Sequence, residues 1–139
     1  RTGPALMDEG YVIGIDFGLK HIGVAIGQTI TRSARGLKTL SAKNGRPDWK
    51  ALDELVHPYR PLAITVGLPL NMDGTDSDMS QKADGFAESL RERYAIPVYL
   101  VDERLSTWQA RTEAQEGGTA PTTHERAASL IAETWMAEQ

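Results

Sequence analysis

Between Tyr11 and Leu40 three strand-like segments follow one another with only three or four residues between them, and this spacing restricts the possible folds more than any other feature of the chain. Tyr11-Val12-Ile13-Gly14-Ile15-Asp16 is an apolar run of the kind buried on both faces of a sheet. Phe17 to Lys20 makes a tight connection, His21 to Gly27 supplies a second strand, and a third falls within Thr31 to Leu40. Parallel strands need a long crossover, so three strands this close together are expected to be antiparallel neighbours.

Asn44-Gly45-Arg46-Pro47 reads as a break, and the pattern then changes. Asp48 to Tyr59 sets Trp49, Leu52, Leu55 and Val56 at helical spacing. Leu62 to Gly67 reads as a buried strand, Leu68 to Asp76 as a loop, Ser77 to Tyr94 as a helix and Pro97 to Val101 as a fifth strand. Ser106-Thr107-Trp108-Gln109 has the form of a capping box opening a helix to about Glu116, and a last helix to Met136 is expected to bury Ala127, Ala128, Leu130, Ile131, Thr134 and Trp135. The order β-β-β-α-β-α-β-α-α predicts an α/β fold: a mixed five-stranded sheet, three antiparallel strands then two parallel ones, with helices on both faces. At 139 residues the chain has the size of one domain, residues 1–10 are expected to form a flexible lead-in, and no repeat or low-complexity segment appears.

Composition narrows the function classes. The absence of cysteine excludes disulfides and thiolate metal sites. No apolar run approaches the ~18 residues of a membrane-spanning helix, and Asp8 and Glu9 interrupt any signal-peptide-like core, so a cytoplasmic protein without a membrane partner is expected. The net charge of −4 is unevenly divided, with +4 in residues 1–50 and −8 in residues 51–139. That division permits a basic contact surface beside an acidic pocket. On its own the net balance argues weakly against a nucleic-acid partner, and charges of this kind are just as often solvated surface; any nucleic-acid contacts would fall mainly on the Lys20-to-Arg46 side.

Two acids stand out. Asp16 ends a strand otherwise made of Tyr, Val, Ile and Gly, and Glu103, beside Asp102, follows Val98-Tyr99-Leu100-Val101. Ligands of open α/β sheets collect outside the carboxyl ends of parallel strands. If strands one and five are parallel neighbours, Asp16 and Glu103 converge there. Two hard oxygen ligands suit Mg²⁺ or Mn²⁺ rather than zinc. The plainer reading is that each acid caps a turn.

Asp16-Phe17-Gly18-Leu19-Lys20-His21-Ile22-Gly23-Val24-Ala25 resembles the opening motif of the YqgF/RuvX family of Holliday-junction-resolvase-like proteins. Gly67-Leu68-Pro69-Leu70-Asn71-Met72-Asp73-Gly74 resembles its central loop, and Asp102-Glu103-Arg104-Leu105-Ser106-Thr107 its third signature, in family order. The resemblance runs from about Tyr11 to Trp135 and implies a ribonuclease H-like fold. It also implies a nuclease acting on the 5′ end of precursor 16S ribosomal RNA or on Holliday junctions. Asp16 would be the first metal-binding carboxylate and Glu103 the second. The family's third acid opens the last helix ahead of an Ala-Ala pair; counting back from Ala127-Ala128 puts His124 in its place, with Glu125 next. Glu125 reads better as the partner of Thr122 in a capping box. His124 admits two roles, an active-site imidazole or an exposed first-turn histidine.

The implied chemistry is metal-assisted hydrolysis of a phosphodiester, with Lys20, Arg32, Arg35 and Arg104 as candidate phosphate contacts. The expected partners are structured RNA and branched DNA, bound by a monomer or homodimer. Two rivals remain at this level. Actin-like and sugar-kinase-like ATPases open with a similar Asp-x-Gly turn but need a second domain to close on ATP. A catalytically inactive assembly or transcription factor is kept open by the substituted third acid.

Overall fold

In the computed structural model, residues 8–69, 71, 73–75, 77–103 and 123–139 are described. Six strands form one sheet: β1 (Tyr11–Asp16), β2 (His21–Gln28), β3 (Ser33–Lys43), β4 (Arg46–Pro47), β5 (Ala63–Leu68) and β6 (Val98–Asp102). Among the described residues three α-helices accompany them: α1 (Trp49–Val56), α2 (Asp78–Tyr94) and α3 (Thr123–Ala137). The strand order is β4-β3-β2-β1-β5-β6. As the short connections require, β1 pairs antiparallel with β2 and β2 with β3, whereas β1–β5 and β5–β6 are parallel, with α1 and α2 in the two crossovers.

The sheet departs from expectation in three places. The segment read as a break is a hairpin: Asn44 and Gly45 both take positive φ, 50° and 80°, as a two-residue primed turn demands, and Lys43 pairs with Arg46. The sheet therefore has six strands, not five. Second, β1 and the strand carrying Glu103 are not neighbours; β5 lies between them. Both pairings are parallel, so their carboxyl ends still share one edge. Third, the first helix stops at Val56 and gives way to a single 3-10 turn, His57–Tyr59, at Pro58. The helix expected from Ser106 to Glu116 lies outside the described residues.

Local chemistry sets the helix starts. Asp48 caps α1, its carboxylate accepting from the amides of Lys50 and Ala51 at 3.0 and 3.4 Å. Ser77 and Ser80 cap α2 reciprocally, at 3.0 and 2.7 Å. The two faces of the sheet are covered differently. Ile13, Ile15, Ile64 and Val66 pack with Leu52, Val56, Phe86 and Leu90 under α1 and α2. Val12 packs with Ala132 and Met136 of α3 on the other face. Because side chains alternate along a strand, Gly14 and Asp16 share the α3 face with Val12.

Candidate active site

At the carboxyl edge of the parallel strands, Asp16 is buried at 9 % exposure, although a carboxylate in so dry a place is costly unless it is paired. Its partner is Glu103. The backbone amide of Glu103 donates to the Leu68 carbonyl at 3.0 Å, extending the β5–β6 pairing by one residue. That brings the Glu103 side chain across β5 into a hydrogen bond with Asp16. The space over Gly67, beneath the crossing, is filled from α3 by the Ile131 side chain, whose tip would lie 2.6 Å from a Cβ there. Burial raises the Asp16 carboxyl above the ordinary range, and the Glu103 hydrogen bond offsets part of that rise.

His124 completes the cluster from the first turn of α3, with Nδ1 3.3 Å from Asp16 Oδ2. The sheet dictates this approach. A Cβ on Gly23, the residue paired with Asp16, would sit 2.2 Å from the His124 carbonyl oxygen, and one on Gly14 would sit 2.2 Å from that of Ala128. Only glycine lets the helix backbone descend so far. On the solvent side His21 stacks on the His124 ring, centroids 5.2 Å apart and planes 19° from parallel. His21 and the glycines under α3 were not singled out as site residues. The available signal for the glycines was their isolation within strands, which marks close backbone approach.

The basic residues divide. Lys20 is exposed in the β1–β2 turn, four residues past Asp16. Arg32 belongs to the opposite end of the molecule, where its guanidinium donates to the carbonyls of Met136 and Gln139 at 3.2 and 2.9 Å, closing the carboxyl terminus of α3. Arg35 pairs with Ile26 and borders a cleft with Tyr11 and Tyr59, on the sheet face away from Asp16. The structure thus brings neither Arg32 nor Arg35 to the acids, because alternation along β3 and the reversal at Gln28 carry them elsewhere. Arg104 and Thr122, half of the capping box expected with Glu125, lie outside the described residues. Glu125 itself packs its Cβ where Gly36 of β3 leaves space.

Oxygen from Asp16 and Glu103 with an imidazole nitrogen beside them is a donor set for a hard divalent cation. Among the described residues no group of three or more His, Asp or Glu side chains is gathered tightly enough to enclose a cation by itself. Water and a substrate phosphate fill the remaining positions in Mg²⁺ sites of this type.

Known proteins resemble the chain over nearly its whole length. A family model described as "RuvX: Holliday junction resolvase" matches residues 10–138. A protein of Pseudomonas fluorescens (strain SBW25) named "Putative pre-16S rRNA nuclease" is 46% identical over 133 residues, covering 91% of this chain and 92% of its own. A protein of the same name from Azotobacter vinelandii is 45% identical, covering 99% and 97%. Among solved structures, T. thermophilus RuvC in complex with a Holliday junction substrate superposes with a TM-score of 0.59 at 21% identity, over 90% of this chain and 91% of that one. The fowlpox virus Holliday junction resolvase gives 0.55 at 10% identity, over 93% and 99%. At such identities the likeness is one of fold, and that fold is ribonuclease H-like, as the sequence implied.

Proposed function

The chain belongs to the RuvX family, and on that footing we propose that it is a divalent-metal-dependent nuclease that hydrolyses phosphodiester bonds at the 5′ end of precursor 16S ribosomal RNA. The observation carrying this reading is the buried Asp16–Glu103 pair at the shared carboxyl edge of β1, β5 and β6. The names of relatives at 45–46% identity favour the RNA substrate. The family's description favours a second reading, cleavage of branched DNA at a Holliday junction.

Asp16 and Glu103 would hold Mg²⁺ or Mn²⁺, which when bound supplies Lewis-acid charge to the phosphoryl oxygens and makes a water more acidic. Asp16 orients His124 through Nδ1, so the other ring nitrogen, Nε2, is the one presented for proton transfer with water or the leaving oxygen. His21 limits rotation of that ring by covering its outer side. Lys20 lies where it can neutralise a phosphate next to the scissile one.

The test is a cleavage assay with 5′-extended 16S precursor RNA, a four-way DNA junction and an unstructured strand, in Mg²⁺, in Mn²⁺ and in EDTA. Asp16→Asn should lower the rate by about a thousandfold or more, on the scale of losing a catalytic electrostatic group. The same variant should melt at a higher temperature near neutral pH. The folded state disfavours the ionised form of a carboxyl whose pKa is raised, so removing that ionisation relieves a cost present at and above the folded pKa. Metal-independent cleavage, or full activity in Asp16→Asn, would overturn the proposal.

A further inference from the structure

The β3–β4 hairpin extends past the end of β2 at the same edge of the sheet as Asp16. Ala42 and Gly45 donate their amides to the carbonyls of Lys20 and Leu19 at 2.8 and 2.9 Å. A Cβ on Gly45 would lie 2.6 Å from the Phe17 ring. The turn that follows Asp16 and the hairpin tip are therefore one clamped unit, whose backbone holds a fixed position relative to the site.

At the tip, Lys43 and Arg46 are both exposed and stand directly opposite each other across the hairpin. Like charges in that position destabilise a two-stranded ladder. Among the described residues no carboxylate forms an ion pair with Lys43, Arg46 or Lys20. Asp48 borders the same open groove, of about 730 Å³, but its carboxylate is engaged on the α1 amides. A cross-strand pair of cations on a pinned hairpin, with no ion-pair partner among the described residues, is a site for two negative charges from outside the chain.

We infer that the β3–β4 hairpin is a phosphate-binding arm, gripping the substrate strand through Lys43 and Arg46 at a fixed distance on one side of the scissile phosphate. The inference rests on the nuclease reading for its geometry. Asp16 pairs with Gly23 and Gly23 with Thr39, and Lys43 lies four residues beyond Thr39 on β3. With strands ~4.8 Å apart and ~3.3 Å per residue, the tip lies about 16 Å from Asp16. That span matches about five nucleotides of a stacked strand at ~3.4 Å each. Recognition of this kind is blind to base sequence and sensitive to the length of the flank.

The experiment measures binding of a fluorescein-labelled RNA hairpin carrying single-stranded flanks of zero to ten nucleotides on either side, using Asp16→Asn to prevent turnover, across a salt series. Adding K43A and R46A together should raise Kd about tenfold or more in ~0.1 M salt and flatten the salt dependence by ~1.4–1.8, the equivalent of two released phosphate contacts. The effect should appear only when one particular flank reaches about five nucleotides. Arg60→Gly removes a cation at the opposite edge of the sheet, at a position whose φ of 45° suits glycine, and should change nothing. Unchanged Kd and slope for K43A/R46A, or an equal effect from Arg60→Gly, would overturn the arm. The nuclease reading is separately decided by wild-type cleavage: the arm can fail while cleavage remains sensitive to Asp16→Asn, and altered binding can persist if no substrate is cut.

Discussion

On the face covered by α1 and α2 the sheet presents Ile13, Ile15, Ile64 and Val66, which interlock with Leu52, Phe86 and Leu90. On the face covered by α3 it presents Gly14, Gly23, Gly27, Gly36 and Gly67, and the helix backbone rests almost on the strands. The first face buries large apolar side chains and so contributes most of the hydrophobic stabilisation, at ~25 cal/mol per Å². The second also buries Val12, Ile131 and Met136, and its backbone contacts at Gly14 and Gly23 fix the height of α3 above Asp16, because backbone atoms in contact cannot repack. Substitutions on the two faces should therefore differ in how far they disturb the geometry around Asp16.

The largest effect on folding is expected on the side-chain face. Leu90 is fully buried, and Leu90→Ala should cost about 3 kcal/mol in urea denaturation while leaving cleavage per folded molecule unchanged. If cleavage falls with stability under conditions where the variant is folded, the contrast between the faces is broken.

Gly23→Ala tests the other face. Its new methyl meets the His124 carbonyl, so about 1–3 kcal/mol should be lost to overpacking. Unlike Leu90→Ala it should also cut cleavage about tenfold, by lifting His124 away from Asp16. Wild-type turnover in a folded Gly23→Ala protein would show that the height of α3 is not what sets the site.

His124 sharpens the comparison at the level of one side chain. His124→Ala should lower cleavage about tenfold, or ~1.4 kcal/mol of barrier, with either metal. His124→Asp should raise Mg²⁺-supported cleavage, since a third carboxylate suits Mg²⁺ better than imidazole does. Parallel rate measurements in Mg²⁺ and Mn²⁺ decide this, and an alanine variant equal to wild type in both would remove His124 from the site.

The smallest effect belongs to the outer layer of the side-chain face, where Arg93 grips Asp53 in two hydrogen bonds of 2.8 and 2.6 Å, Tyr94 donates to it at 2.7 Å, and the Arg93 guanidinium lies 5.1 Å from the Trp49 ring centre. The Arg93 hydrogen bonds, aided by Tyr94, hold the Asp53 carboxyl at about 2, against an ordinary 3.8. A lowered folded value means stabilisation that is complete above the unfolded value and lost as pH falls from ~4 toward ~2. Asp53→Asn should therefore cost up to about 1 kcal/mol at neutral pH. The gap in Tm between the two proteins should close over that acid window, and a gap that stays constant to pH ~2 would assign the effect to packing.

Much of this architecture follows from local pattern. Short connections made β1, β2 and β3 antiparallel; apolar runs marked β1, β5 and β6; and Ser77 announced α2. Asp16 and Glu103 stand out as acids that end apolar strands, but turn capping explains each as well, and it is the family resemblance that singles them out. The Asn44-Gly45 hairpin was legible too, and was read as a break because only Arg46 and Pro47 continue it. Other features are not encoded locally. Nothing in the periodicity says that β5 inserts between β1 and β6, since crossover order depends on how whole helices pack. The charge of residues 1–50 has a sign but no direction, and only the folded sheet separates Lys20 and the hairpin tip from Arg32 and Arg35. His124 reaches Asp16 across 108 residues because glycines on several strands jointly admit α3, and the sum of those clearances exists only once the sheet has assembled.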